Sequence, residues 1–312
     1  MRIVLVGASG FLGGYILRAL TGDKHHCVVL TRAAVRHGTV GMLPGVELVQ
    51  TDVYDSKALA AEFSSADAVV SMAGILNESG NSGRGFQKVH VDLVAGIIEA
   101  CQQAGVSRLL HVSALNAGKG SSYYLKSKGE AETLLKNADG LNVTIFQPSV
   151  IFGRGDDFFN RFAGMLHMMP VMPLACPGAR LQPVFAGDVA MAVAASLEDA
   201  MTWGKSYELA GPKSFTLKEL VTWTAQCLGL KRWVVGLPGP LSATMATVMD
   251  FVPGKPFSRD NYKSLKTDST SSQNGFAYFG IYPRAIDVVV PDYLTGSNHQ
   301  RRLQAFRRQP RR

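Results

Sequence analysis

Apolar residues in the first half of the chain gather into short continuous runs separated by amphipathic stretches. The runs are Arg2–Val6, His26–Thr31, Val46–Gln50, Ala68–Met72, Ser107–Ser113 and Val143–Gln147, the last closed by Pro148. Runs of this length without strict alternation suit strands covered on both faces. Between them, Phe11–Leu20, Phe86–Ala104 and Ser121–Lys136 carry apolar residues at helical spacing, as with Val89, Leu93 and Ile97. Strand and helix in turn predict an α/β fold, a doubly wound parallel sheet of the Rossmann type, over residues 1–150.

Beyond Ile151 the alternation loosens, and glycine and proline become frequent at Gly153, Gly155, Pro170, Pro173, Pro177 and Gly178. A smaller lobe is expected over 151–297. Within it, residues 183–199 are expected to return to the first domain as a strand at Pro183–Ala186 and a helix opened by Gly187-Asp188. Asp188 reads as the N-cap of that helix, and Thr216 with Glu219 reads as a capping box on the next. Trp233–Met249 is uncharged but broken by Gly236, Pro238, Gly239 and Pro240, so it falls short of a membrane span. A buried loop and helix is the expected form, with a membrane-surface or pocket-lining segment as the alternative. Residues 298–312 form a polar, arginine-rich tail.

The formal charge of +8 changes little, because the six arginines between Arg301 and Arg312 account for most of it. The rest is near neutral, and no nucleic-acid partner is expected. Cys27, Cys101, Cys176 and Cys227 are far apart, and no paired histidine spacing occurs, so no metal is expected and the thiols should be reduced. The first strand is read from Arg2, so no cleaved leader is expected. The expected location is cytoplasmic, with peripheral attachment to the inner face of the cytoplasmic membrane as a second option.

The chemistry starts at Gly7-Ala8-Ser9-Gly10-Phe11-Leu12-Gly13, a turn between the first strand and the first helix. Gly7, Gly10 and Gly13 make the turn tight, let a diphosphate reach the backbone, and allow the helix to pack on the strand. Free N–H groups and the positive end of the helix then face the phosphates. In this context the pattern is a dinucleotide fingerprint, and Ser9, Phe11 and Leu12 belong to the cradle. Arg32 ends the second strand where an acidic residue would hold the ribose of NAD; an arginine there suits a 2′-phosphate, so NADP(H) is preferred over NAD(H). Arg36 lies one turn further on, and a merely solvated Arg32 is the plainer alternative. Asp52 and Val53 follow the third strand, placed for the adenine edge, although helix capping would also explain Asp52. Ala73 and Gly74 end the fourth strand beside the cofactor path, and a glycine- and serine-rich loop over 77–85 is expected to be a mobile cover. Pro148 closes the sixth strand on the same edge.

Tyr124 and Lys128 are four residues apart on a helix and therefore share a face. A nearby ammonium lowers the pKa of a phenol, so the pair can exchange a proton with a carbonyl or alcohol. The spacing alone is weak, for Tyr262 and Lys266 repeat it. Only the first pair follows a strand and sits at the carboxyl edge of the sheet, so Tyr262 is read as surface.

Together the glycine turn, the His-Val-Ser end of the fifth strand, Tyr124-x-x-x-Lys128 and Gln147-Pro148-Ser149 resemble the extended or atypical short-chain dehydrogenase/reductase superfamily over nearly the whole chain. The blocks 147–162 and 182–190 resemble one branch of it, the bacterial relatives of the NADPH-binding accessory subunit of respiratory complex I, often labelled NAD-dependent epimerase/dehydratase. The resemblance implies an NADP(H)-dependent oxidoreductase or epimerase acting on a small carbonyl, quinone or isoprenoid-like substrate. Its catalytic residues would be Tyr124, Lys128 and Ser113. The second expectation is a catalytically weak NADPH-bearing structural or assembly subunit that docks on a respiratory or quinone-biosynthesis complex. A nucleotide-sugar epimerase ranks third, because no basic substrate cradle is evident. Two departures stand out. The superfamily's hydroxyl usually lies just beyond Ser113, where Ala114-Leu115-Asn116 stand here, and Gln147 replaces an arginine common in the branch.

Overall fold

The computed structural model describes residues 1–33, 41–252 and 255–295. Arg36 and the 298–312 tail lie outside the described residues. Seven strands form one parallel sheet: β1 (Arg2–Val6), β2 (His26–Thr31), β3 (Val46–Gln50), β4 (Ala68–Ser71), β5 (Arg108–Val112), β6 (Asn142–Pro148) and β7 (Lys205–Leu209). Their order across the sheet is β7-β6-β5-β4-β1-β2-β3. The strand order therefore reverses between β1 and β4, where open α/β sheets bind ligands. Val4 of β1 pairs with Val28 of β2 on one side and Val69 of β4 on the other.

Among the described residues the α-helices of six residues or more are α1 (Phe11–Gly22), α2 (Ser56–Phe63), α3 (Leu93–Ala104), α4 (Tyr123–Lys136), α5 (Asp157–Met168), α6 (Ala186–Ala195), α7 (Leu217–Cys227), α8 (Gly239–Met249), α9 (Arg259–Ser264) and α10 (Ile286–Leu294). One sheet face is covered by α1 and α6, whose Ile16, Leu17, Val189 and Val193 are buried against Ile3, Leu5 and Val29. The other is covered by α2, α3 and α4 through Leu59, Phe63, Ile97 and Leu135. With both faces covered, the continuous apolar runs of β1, β2 and β4 are explained. A third core joins Phe152 and Phe159 to Leu220 and Val221 in the lobe.

Six strands are legible in the sequence; β7 is an addition. Its Lys-Ser-Tyr-Glu-Leu pattern buries Tyr207 and Leu209 only, as an edge strand does, and a short alternating stretch carries a weak signal. Within residues 183–199, Val184–Phe185 pairs with Ile151–Phe152, and Val189 and Val193 of α6 share a core with Ile16 and Leu17 of α1. Asp188 is not the N-cap of α6. The helix starts at Ala186 after Phe185, and the buried Asp188 carboxylate instead accepts from the backbone N–H of Arg284 at 2.6 Å and pairs with its guanidinium at 3.2 Å. The Thr216–Glu219 capping box is present at α7.

The 233–249 segment departs from the buried form. It folds as a strand, Trp233–Gly236, and as α8, yet only Ser242 and Ala246 of α8 are buried. Trp233 is 76% exposed, Leu241 54% and Val248 58%. The strand pairs only with Val171–Leu174, so alternate residues Trp233 and Val235 face outward. Among the described residues, no helix is long and apolar enough to cross a membrane.

Candidate coenzyme and catalytic site

The three glycines of the first turn have separate roles. Gly7 adopts φ +90°, and a Cβ there would lie 2.5 Å from the backbone nitrogen of Ala73. At Gly13 a Cβ would lie 2.0 Å from the carbonyl oxygen of Ala8, so the start of α1 packs directly on the turn. Gly10 is different: the nearest atom to its Cβ position is 3.8 Å away, and the residue is exposed. It precedes α1 in extended conformation, and no side chain caps the first turn of that helix. Unpaired N–H groups at an open glycine fit a diphosphate. Ser9, Phe11 and Leu12 stand half-buried around this opening.

Ala73 and Gly74 leave β4 directly opposite. A Cβ on Gly74 would meet the ammonium of Lys128 at 3.5 Å and Nε2 of His90 at 3.6 Å. The sheet edge thus brings Gly7 against Ala73, and Gly74 beside Lys128 and His90. Pro148 ends β6 and accepts from the Leu115 N–H at 2.9 Å, which holds the chain after Ser113 on this edge. Val53 is buried in the core below. Asp52 does not cap a helix, a role taken by Asp55 at α2. Its carboxylate is exposed and accepts from the Tyr54 N–H at 3.0 Å.

Helix α4 is fixed at its start from two sides. Ser122 accepts from the Leu125 N–H, and the Asp260 carboxylate accepts from the N–H groups of Tyr123 at 2.7 Å and Tyr124 at 3.0 Å. Lys128, one turn on, is 4% exposed and donates to the carbonyl of Val112 at 3.2 Å. Burial lowers its pKa to about 8, only partly opposed by Glu132. The Tyr124 ring lies edge-on to Phe86 and His90, with centroids 6.1 and 5.5 Å away. Burial raises its pKa to about 12. The shift is thus opposite to the lowering expected from spacing, and desolvation is its cause. At neutral pH the phenol keeps its proton.

His90 carries no signal in the sequence pattern, yet it joins these parts. It lies in a π-helical turn, Gln87–Asp92, a geometry frequent at functional sites. Its Nε2 accepts from the Ile75 N–H at 3.1 Å, so Nδ1 bears the proton and donates to Ser127 Oγ at 2.8 Å. Ser127 in turn donates to the carbonyl of Tyr124 at 2.9 Å. Burial, and then the Lys128 charge, lower the His90 pKa to about 3, which keeps the ring neutral.

Ser113 belongs to a different network. Its hydroxyl donates to the buried Glu132 carboxylate at 2.6 Å, and Gln147 donates to both oxygens of that carboxylate at 2.8 Å. Gln147 thus answers Glu132 where the branch often uses arginine. Asn116 is held in a left-handed turn at φ +62°, with its amide donating to the carbonyl of Asp268. Just beyond β2 the exposed Arg32 guanidinium lies 6.0 Å from the Tyr54 ring centroid, and the Lys88 ammonium lies 4.7 Å from the same ring. Lys88 was not legible as a partner of Arg32, because the two meet only through folding. The loop over 77–85, expected to be a mobile cover, is tied down by Glu78, which accepts from the N–H groups of Gly83 and Gly85.

The chain as a whole is similar to several known proteins. An NAD(P)H-binding family model matches residues 7–156. Over 290 residues the chain is 30% identical to the mitochondrial NADH dehydrogenase (ubiquinone) 1 alpha subcomplex subunit 9 of Arabidopsis thaliana, a match covering 87% of this chain and 71% of that protein. The chain belongs to this NAD(P)H-binding family. The mouse counterpart is 31% identical, with 69% of this chain and 58% of that protein covered, so the chain spans less than two thirds of that relative. A ceramide reductase of Caulobacter vibrioides is 27% identical, covering 80% and 77% of the two chains. The fold is that of an NADPH-complexed quinone oxidoreductase, QOR2 of Escherichia coli, at a TM-score of 0.74 and 19% identity, over 96% of this chain and 99% of that one.

Proposed function

We propose that the chain is an NADP(H)-dependent reductase of a carbonyl substrate, a ketone or a quinone, with Tyr124 as the proton donor. The observation that carries this reading is the half-buried Tyr124 on the same helix as Lys128, whose ammonium lies so near Gly74 that a Cβ there would be 3.5 Å from it. Gly7, Ser9, Gly10, Phe11, Leu12 and Gly13 would hold the coenzyme diphosphate. Arg32 and Lys88, gathered at Tyr54, would hold the 2′-phosphate, with Asp52 and Val53 at the adenine side. Ala73, Gly74, Lys128 and Pro148 would line the nicotinamide half. The coenzyme, when bound, supplies hydride to the carbonyl carbon. Tyr124, neutral at pH 7, gives its proton to the carbonyl oxygen. Lys128 orients the ribose and stabilises the phenolate left behind. Ser113 acts through Glu132 in fixing the end of β5.

The names of the relatives favour a second reading, an NADPH-bearing subunit docked on a respiratory complex. The outward apolar residues Trp233, Leu241 and Val248 support it, and so would a peripheral location at a membrane. The two readings separate in one experiment. The purified protein is denatured, the released nucleotide is identified, and NADPH oxidation is followed with a panel of ketones and quinones. The first reading expects NADPH and a turnover lost in Tyr124→Phe. Tight NADPH with no turnover would favour the second, and release of NAD would overturn the assignment of Arg32.

A further inference from the structure

Next to Tyr124, but outside the coenzyme cleft, the 77–85 loop and the start of α9 enclose a cavity of about 210 Å³. Its walls include Phe86, whose ring also meets Tyr124 edge-on, so the cavity is one aromatic ring away from the phenol. Five charged side chains line it: Glu78, Lys255, Arg259, Asp260 and Lys263. The two carboxylates are already spent. Glu78 accepts two backbone N–H groups, and Asp260 accepts the first two of α4, where the helix dipole also favours negative charge. The cations are not spent. Arg259 uses only Nε, at 2.8 Å from Asp250, and its two terminal nitrogens have no partner among the described residues. Lys263 makes one contact, its ammonium 5.4 Å from the Tyr123 ring centroid. Lys255 bonds Gly80 and Asn81 and retains a third donor.

A polar cavity whose acids are satisfied and whose guanidinium fork is free is built for an oxyanion. We infer that it takes a phosphate or carboxylate group of the substrate, held by Arg259 and Lys263 with Lys255 at the rim. The inference rests on the reductase reading and narrows it to acidic carbonyl compounds. Asp260 lies between Arg259 and Lys263 in sequence and grips the N–H of Tyr124. An anion in the cavity would therefore sit on the same short helix that already holds the start of α4, and with it the phenol. It also supplies the basic cradle that the sequence does not display, because Lys255, Arg259 and Lys263 surround a cavity only when folded against the 77–85 loop.

The test is calorimetric titration of the full chain with inorganic phosphate and, separately, acetate, in the presence of saturating NADPH, so that the glycine turn is filled. One saturable site is expected. Lys263→Gln should weaken it about tenfold, and so should Arg259→Lys, which keeps a cation for Asp250 but loses the fork. Lys57→Gln, on the exposed face of α2, should leave it unchanged. Phosphate should raise the melting temperature of the wild type and of Lys57→Gln, but not of Lys263→Gln. Stronger phosphate than acetate binding would assign a phosphorylated substrate, and the reverse a carboxylate. Absence of saturable binding by either anion, or binding equally strong in both cavity variants, overturns the inference. If NADPH itself fails to bind while phosphate still binds in a Lys263-dependent way, the oxyanion site stands and the coenzyme reading falls.

Discussion

Two Tyr-x-x-x-Lys pairs occur in this molecule, and they differ in everything except spacing. Tyr124 and Lys128 lie in a fourteen-residue helix held at its start by Ser122 and Asp260. Lys128 is 4% exposed and committed to the Val112 carbonyl, beside Gly74 and His90. Tyr262 belongs to α9, which ends at Ser264, so Lys266 lies beyond the helix. Its exposed ammonium rests 4.6 Å from the Tyr262 ring centroid, and the half-buried phenol donates to the Gly239 carbonyl at 3.4 Å. Spacing brings a phenol near an ammonium in both places. Burial at a sheet edge sets the first pair apart and is the ground for proposing Tyr124, not Tyr262, as a proton donor.

The strongest way to break this comparison is to remove both phenolic oxygens in turn. Tyr124→Phe should lower kcat for carbonyl reduction by about 10³, within the range for a general acid, while NADPH affinity, read by fluorescence titration, stays within about twofold. The same change at 262 should leave kcat alone. Removing the support beneath the first pair comes next. Glu132→Ala leaves Ser113 and Gln147 without their shared acceptor and should cost about 2–4 kcal/mol in urea unfolding. Equal loss of stability from Asp268→Ala would show that Glu132 holds nothing special.

A smaller effect probes His90. Its folded pKa of about 3 lies below the ordinary value near 6.5. Between these values the unfolded chain takes up a proton that the folded chain refuses, so stability present above pH 6.5 is lost as pH falls. From pH 7 to pH 5 the loss should be about 2 kcal/mol. His90→Asn, whose amide can accept from Ile75 and donate to Ser127, should remove most of that loss when urea midpoints are compared. Beside Tyr54, Arg32→Ala and Lys88→Ala should each weaken NADPH about tenfold, close to 1.4 kcal/mol, with NADH unchanged. Equal losses for both coenzymes would mean that neither cation meets the 2′-phosphate.

The sheet was readable from the chain because covered strands are continuous apolar runs, and β1, β2 and β3 end where those runs end. Tyr124, Lys128 and the glycine turn were readable because local geometry requires those residue types at fixed intervals. His90, Lys88, Glu132 and Asp260 were not. Each acts through a partner distant in sequence: Asp260 meets Tyr123 across 137 positions, and Lys88 and His90 lie in a π-helical turn that no apolar period encodes. Burial also reversed one expectation outright. A lysine four residues from a tyrosine predicts a lowered phenol pKa in water, but both groups here are desolvated, and desolvation pushes the phenol up while it pushes the lysine down. The outward turn of Trp233 and Leu241 was hidden for a similar reason, since an apolar stretch does not say which neighbour covers it.

The weakest perturbation, at the second pair, sharpens the comparison most. Lys266→Gln removes an exposed cation–π contact, worth about 0.5–1 kcal/mol in such settings. Tyr262→Phe removes a long hydrogen bond at the rim of α8, worth at most about 0.5 kcal/mol. Urea midpoints should therefore shift slightly and in the same direction, with NADPH affinity and kcat unaltered in both variants. The reason is that neither group reaches the glycine turn, Gly74 or the Tyr124 ring. A tenfold fall in kcat from either substitution, with the fold intact, would mean that the motif works by spacing without burial, and the distinction drawn from Lys128 and His90 would be lost.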